Sequence, residues 1–168
     1  MITHDLAEAA GAWGSALLLH PHPDMGGDRF NNVVSALYAA LPDAGVTAAR
    51  FDFSSSNVDT AVAETIEVLD VLPADPRFVI GYSIGGGIAA RLPDDQIAGR
   101  CLIAPSLPKD GPRPSAFVIA AEHDQFFAVD DLRPDAIVTG ADHFFMGRTD
   151  EVVRLVLGWL AEIRPAGR

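Results

Sequence analysis

Cysteine is nearly absent. Cys101 is the single one in 168 residues, so no internal disulfide can form. Its setting, Arg100-Cys101-Leu102-Ile103, predicts a buried and inert thiol rather than a nucleophile. Basic charge is scarce too: 12 Lys and Arg face 23 Asp and Glu, for a formal net charge of -11. No Lys/Arg cluster interrupts that deficit. Phosphate backbones and anionic lipid surfaces repel such a chain, which argues against nucleic acid and membranes as partners. No apolar run approaches the ~18 residues that span a bilayer. No basic segment precedes a hydrophobic one at the N-terminus, so no secretory signal is expected and cytoplasmic residence follows as the default. Internal repeats and long linkers are missing as well.

Apolar residues, by contrast, are plentiful. A hydrophobic content of 49% over 168 residues suits a single domain, residues 1–168, with a substantial core. Short apolar runs at 16–19, 46–53, 77–82, 98–103, 115–121 and 136–139 predict six strands. Between them, Phe30, Val33, Val34, Leu37 and Leu41 recur at helical spacing before Pro42 and Gly45 end the pattern. Val62, Ile66 and Leu69 mark a second helix. Val152, Val156, Trp159 and Ile163 mark one face of a last helix, over about 151–163. Strands apolar throughout and alternating with helices predict an α/β fold, a three-layer sandwich around a mostly parallel sheet of about six strands. Ligands of such sheets collect beyond the C-terminal strand ends, where strand order reverses.

Gly81-Tyr82-Ser83-Ile84-Gly85 follows directly on the third run. With 15 glycines in the chain, random placement yields only about 0.06 such GxSxG patterns. The two glycines remove Cβ atoms that would strike a sharply reversing backbone, leaving Ser83 at the tip of a sheet as a candidate nucleophile. A serine hydroxyl needs a base to take its proton. His143, between the last strand and the final helix, is the best placed of five histidines. Asp124 closes the fifth strand and suits the acid that orients the base, with Glu122 the rival. Asp142 adjoins His143 and ranks lower, whereas Asp130 and Asp131 suit the start of a short helix. An oxyanion hole needs two backbone N–H groups. Ile84, at a helix N-terminus, supplies one. The loop His20-Pro21-His22-Pro23-Asp24-Met25-Gly26-Gly27 supplies the other. Its prolines have no N–H, which favours His22 and leaves Met25 or Gly26 open. His20, His22 and His143 do not complete a metal site at any close spacing, so no metal is expected.

With these motifs the chain resembles the α/β-hydrolase superfamily. It looks most like the small dienelactone-hydrolase-like serine hydrolases. The resemblance rests on Leu18-Leu19-His20-Pro21-His22-Pro23 with Gly26-Gly27, on Gly81-Tyr82-Ser83-Ile84-Gly85-Gly86, and on Gly140-Ala141-Asp142-His143-Phe144-Phe145. It implies a triad of Ser83, Asp124 and His143, no cofactor, and a small acyl substrate. Three departures stand out. The superfamily usually has two strands before the His-containing loop, and about a dozen residues precede the first run here. Arg-Gly often follows the second strand in these relatives, where this chain has Phe53-Ser54-Ser55-Ser56-Asn57, a polar turn that suits the start of the next helix. Dienelactone hydrolases proper use cysteine where Ser83 stands, which argues against transferring their substrate.

The stretch 104–114, with Pro105, Pro108, Pro112 and Pro114, leaves no room for a cap domain. Met25, Phe126, Phe127, Phe144 and Phe145 are candidates for an apolar wall near the nucleophile. A helix missing from one sheet face leaves strand surface for a homodimer. Hydrolysis of small carboxylic esters or thioesters is the leading expectation. Acyl transfer on the same triad and a non-catalytic binding domain are the alternatives.

Overall fold

Strand segments that are apolar at every position must be buried on both faces, and they order themselves accordingly. The computed structural model describes residues 2–166. Seven strands are present: β1 His4–Ala7, β2 Gly14–Leu19, β3 Val46–Phe51, β4 Arg77–Tyr82, β5 Gly99–Ile103, β6 Phe117–Ala121 and β7 Ala136–Val138. They form one sheet in the order β1-β3-β2-β4-β5-β6-β7. Every pairing is parallel except that of β1 with β3.

Strand β1 brings the expected count of about six to seven. His4 lies in that strand, and two strands precede the loop after β2. Only four residues long and part-exposed, β1 carries too weak an apolar signal to be read. Arginines hold it instead: the Asp5 carboxylate pairs with both Arg29 and Arg50, each at 3.1 Å.

Alternate strand residues face opposite layers. Leu18, Phe78, Ile80, Cys101 and Ile103 meet α1 (Asn32–Ala40) and α5 (Thr149–Ile163). Leu17, Leu19, Val79 and Leu102 meet α2 (Val58–Asp70), α3 (Ile84–Ala89) and α4 (Val129–Leu132). Three details of the helical reading shift. Asn31 caps α1 by accepting from Val33 N–H at 3.0 Å, so Phe30 precedes the helix and stands exposed between Arg29 and Arg50. The fully buried face of α2 is Ala61, Thr65, Val68 and Leu69, with Val62 and Ile66 packed at its margin. On α5 it is Leu160, not the part-exposed Ile163, that completes the face of Val152, Val156 and Trp159.

No helix connects β5 to β6. Leu107 and Ala116 of that connection pack with Leu132 of α4 on Leu102, Val118 and Ala120. Among the described residues there is no cap domain, and no helix is long and apolar enough to cross a membrane.

Candidate active site

The strand order reverses at β2: the chain steps outward to β3 and returns to β4 on the other side. The loops after β2 and β4 therefore flank one crevice. Ser83 sits in it, between β4 and α3, with φ 56° and ψ -116°. A non-glycine residue in that region is strained, and the neighbouring geometry holds it there. Its N–H donates to Ile103 O and its carbonyl accepts from Ser106 N–H, both at 2.9 Å. A Cβ on Gly81 would overlap the carbonyl of Gly85, which is the reversing backbone. A Cβ on Gly85 would instead strike the carbonyls of Leu19 and His20 at the end of β2. The second glycine thus serves packing between loops, a reason that the local turn alone does not contain.

His143 Nε2 lies 3.1 Å from Ser83 Oγ, and its Nδ1 lies 2.8 Å from Asp124 Oδ2. A proton on Nδ1 directed to the carboxylate leaves Nε2 free to accept from the serine hydroxyl, the tautomer a base requires. Asp124 Oδ1 accepts from the N–H groups of Phe126 at 2.8 Å and Phe127 at 3.0 Å, which fixes the carboxylate. The rival acids are occupied elsewhere. Glu122 accepts from Gly140 N–H at 2.7 Å, Asp142 accepts from Phe144 N–H at 3.0 Å, and Asp130 and Asp131 lie in α4.

Two residues here escape sequence reasoning. Tyr82 donates its hydroxyl to the carbonyl of His143 at 2.7 Å, in the interior. Burial, with Asp124 and Asp142 nearby, pushes that hydroxyl well above its usual range. His20 is buried, with Nδ1 2.6 Å from Pro21 O, and Nε2 accepts from Phe53 N–H at 3.0 Å. It ties the loop after β2 to the end of β3, and its burial lowers the imidazole pKa. Neither role has a sequence signal, because each depends on a partner at least thirty positions away.

The loop amides can be accounted for one by one. Asp24 N–H donates to His22 Nδ1, Met25 and Gly27 to His22 O, and Gly26 to Pro23 O. Met25 and Gly26 are therefore spent as donors. The N–H groups of His22 and Ile84 have no acceptor among the described residues.

Met25, Phe126 and Phe144 line the cleft with Pro21, His22, Ile84, Ser106 and Phe127, around a volume of about 220 Å³. Phe145 is not part of that wall but is fully buried in the core against Tyr82, a correction to its expected role. Phe126, Phe127 and Phe144 surround the His143 ring at centroid distances of 4.9, 5.4 and 5.7 Å. Among the described residues no three His, Cys, Asp or Glu side chains converge as metal ligands. Both ring nitrogens of His20 and of His143 are already partnered. Cys101 is buried, and burial pushes its thiol far up, leaving it protonated.

Comparison with known proteins places this architecture. No protein-family model matches the chain. An uncharacterised protein of Rickettsia prowazekii is 28% identical over 188 aligned residues, covering 89% of this chain and 79% of that one. A lidless α/β serine hydrolase of Xanthomonas campestris superposes with a TM-score of 0.83 at 22% identity, covering 98% of this chain and 89% of the other. An α/β serine hydrolase homologue from Coxiella burnetii gives 0.78 at 24% identity, covering 94% and 90%. The chain thus has the α/β-hydrolase fold that these proteins share.

Proposed function

We propose that this protein is a serine hydrolase that cleaves small carboxylic esters or thioesters. The observation that carries this reading is the hydrogen-bonded series Ser83–His143–Asp124 at the floor of an apolar cleft. Ser83 Oγ attacks the substrate carbonyl carbon while His143 Nε2 takes the hydroxyl proton. Asp124 stabilises the resulting imidazolium. The oxyanion is held by the N–H groups of Ile84 and His22, the two left without acceptors in this crevice. Collapse expels the alcohol or thiol, which leaves with the proton from His143. A water molecule, deprotonated by His143, then attacks the acyl-enzyme and releases the acid together with free Ser83. Each step is acid–base and nucleophilic chemistry, so no cofactor is required.

Met25, Phe126 and Phe144 form the apolar wall for the substrate. The cleft is smaller than the roughly 300–1,000 Å³ of sites that enclose drug-sized ligands, in keeping with a small substrate. Reaction with an uncharged fluorophosphonate tests the reading. The native protein is expected to be labelled at Ser83 and the Ser83→Ala variant to stay unlabelled. Equal labelling of the two, or none of the native protein, would overturn it.

A further inference from the structure

The cleft is lined by no lysine or arginine among the described residues. Its polar lining is His22, Asn31, Tyr82, Ser83, Ser106 and His143. Three carboxylates are attached to the lining segments: Asp24 lies between His22 and Met25, Asp28 follows Gly27, and Asp142 precedes His143. All three are exposed, and none has a cationic partner within 4.0 Å among the described residues. Asp28 and Asp142 instead accept from the backbone N–H groups of Phe30 and Phe144.

The charge of Asp142 reaches the cleft lining, and that of Asp28 reaches the buried imidazole behind the loop after β2. Asp142 and Asp124 add to the burial that raises the Tyr82 hydroxyl, and Asp28 with Asp52 opposes the burial that lowers His20. The neighbouring cations are already answered. Arg29 pairs with Asp5 and Asp52, and Arg50 pairs with Asp5. Arg148, close in sequence to His143, does not line the cleft and has its guanidinium against Gly140.

We infer that the substrate is an uncharged ester or thioester, neutral in both its acyl and its leaving group, and that anionic acyl groups and phosphate-bearing thiol carriers are rejected. This rests on the serine-hydrolase reading and narrows it. An anionic substrate would shed water in an apolar cleft without gaining an ion pair, and would do so beside loops that carry three exposed carboxylates. Discrimination of this kind comes from what the site withholds as much as from what it contacts. A neutral chain loses little water and gains apolar contact with Met25, Phe126 and Phe144.

The experiment compares kcat/KM for p-nitrophenyl butyrate with that for mono-p-nitrophenyl succinate, each corrected for its uncatalysed rate. These share a leaving group and acyl length and differ in one terminal carboxylate. The neutral ester is expected to lead by about tenfold or more at low salt, with the gap narrowing as ionic strength rises. In the same way S-ethyl thiobutyrate is expected to outpace butyryl-coenzyme A. Met25→Lys, which adds a cation at a side chain already 71% exposed, is expected to raise the succinate rate relative to the butyrate rate. Equal or reversed preference in the native protein overturns the inference. Labelling of Ser83 by the uncharged fluorophosphonate separates the two claims. Labelled protein that ignores substrate charge removes this inference alone, and unlabelled protein removes both.

Discussion

Tyr82 joins the two halves of the site, since its hydroxyl holds the carbonyl of His143 while its own peptide leads into Ser83. Replacement by phenylalanine keeps the ring contacts with His143 and Phe145 but leaves a buried carbonyl unsatisfied, a cost of ~1–3 kcal/mol. If part of that cost appears as looser placement of His143, Tyr82→Phe lowers kcat by about tenfold with KM within about twofold. Steady-state kinetics together with a thermal melt decide it. A purely structural role would lower Tm and leave kcat of the folded protein unchanged. The candidate nucleophile, base and acid were legible from motif and position. Tyr82, His20 and the burial of Phe145 were not, because each is defined by what stands opposite in space.

At the level of elements, α3 poses a conflict between propensity and position. Its six residues include Gly85, Gly86 and Gly87, and each glycine costs up to ~1 kcal/mol against alanine. Contact on three sides explains them. Gly85 abuts the end of β2, a Cβ on Gly86 would lie 2.7 Å from Pro105 Cβ, and one on Gly87 would overlap the carbonyl of Ser106. The buried Arg100 on β5 closes the other end, donating to the carbonyls of Ala89 at 3.1 Å and Ala90 at 3.2 Å. Gly158, within α5, has nothing within 4 Å of its would-be Cβ. Gly158→Ala is therefore expected to stabilise by ~0.5–1 kcal/mol, raising Tm by about 1–4 °C. Gly87→Ala is expected to lower Tm by more than that, because backbone must move. Thermal melts of the two variants test this, and a loss for Gly158→Ala would contradict the reading of α5.

Across the whole molecule, His20 links stability to pH. Burial holds its folded pKa below the ordinary 6.5, and its Nε2 lone pair is engaged by Phe53 N–H. The unfolded chain therefore binds this proton more readily, and the stabilisation is complete above pH 6.5 and lost as pH falls below it. Native protein is expected to lose Tm between about pH 7 and 5. A His20→Asn variant, less stable at neutral pH, is expected to lose less over the same interval. Parallel curves for the two proteins would show that His20 does not carry the effect. Because His20 anchors the loop that presents the His22 N–H, loss of activity is expected to accompany the transition.

Pattern and composition were enough for the α/β class, the parallel core strands and the three polar residues placed at strand ends. These follow from local physics: apolar runs must be buried, glycines permit turns, and charge repels like charge. Strand β1 needed the paired arginines from α1's approach and from β3, and α3 needed the loops packed against it. Position already favoured Asp124 over Glu122 and His22 over Met25 and Gly26, and only the folded chain shows that those rivals have hydrogen bonds of their own. The charge character of the cleft likewise emerged only in three dimensions, where Arg29 and Arg50 pair with Asp5 and, among the described residues, Asp24, Asp28 and Asp142 have no cationic partner. Sequence supplies donors, acceptors and charges, but partnership is a matter of distance, and distance exists only after folding.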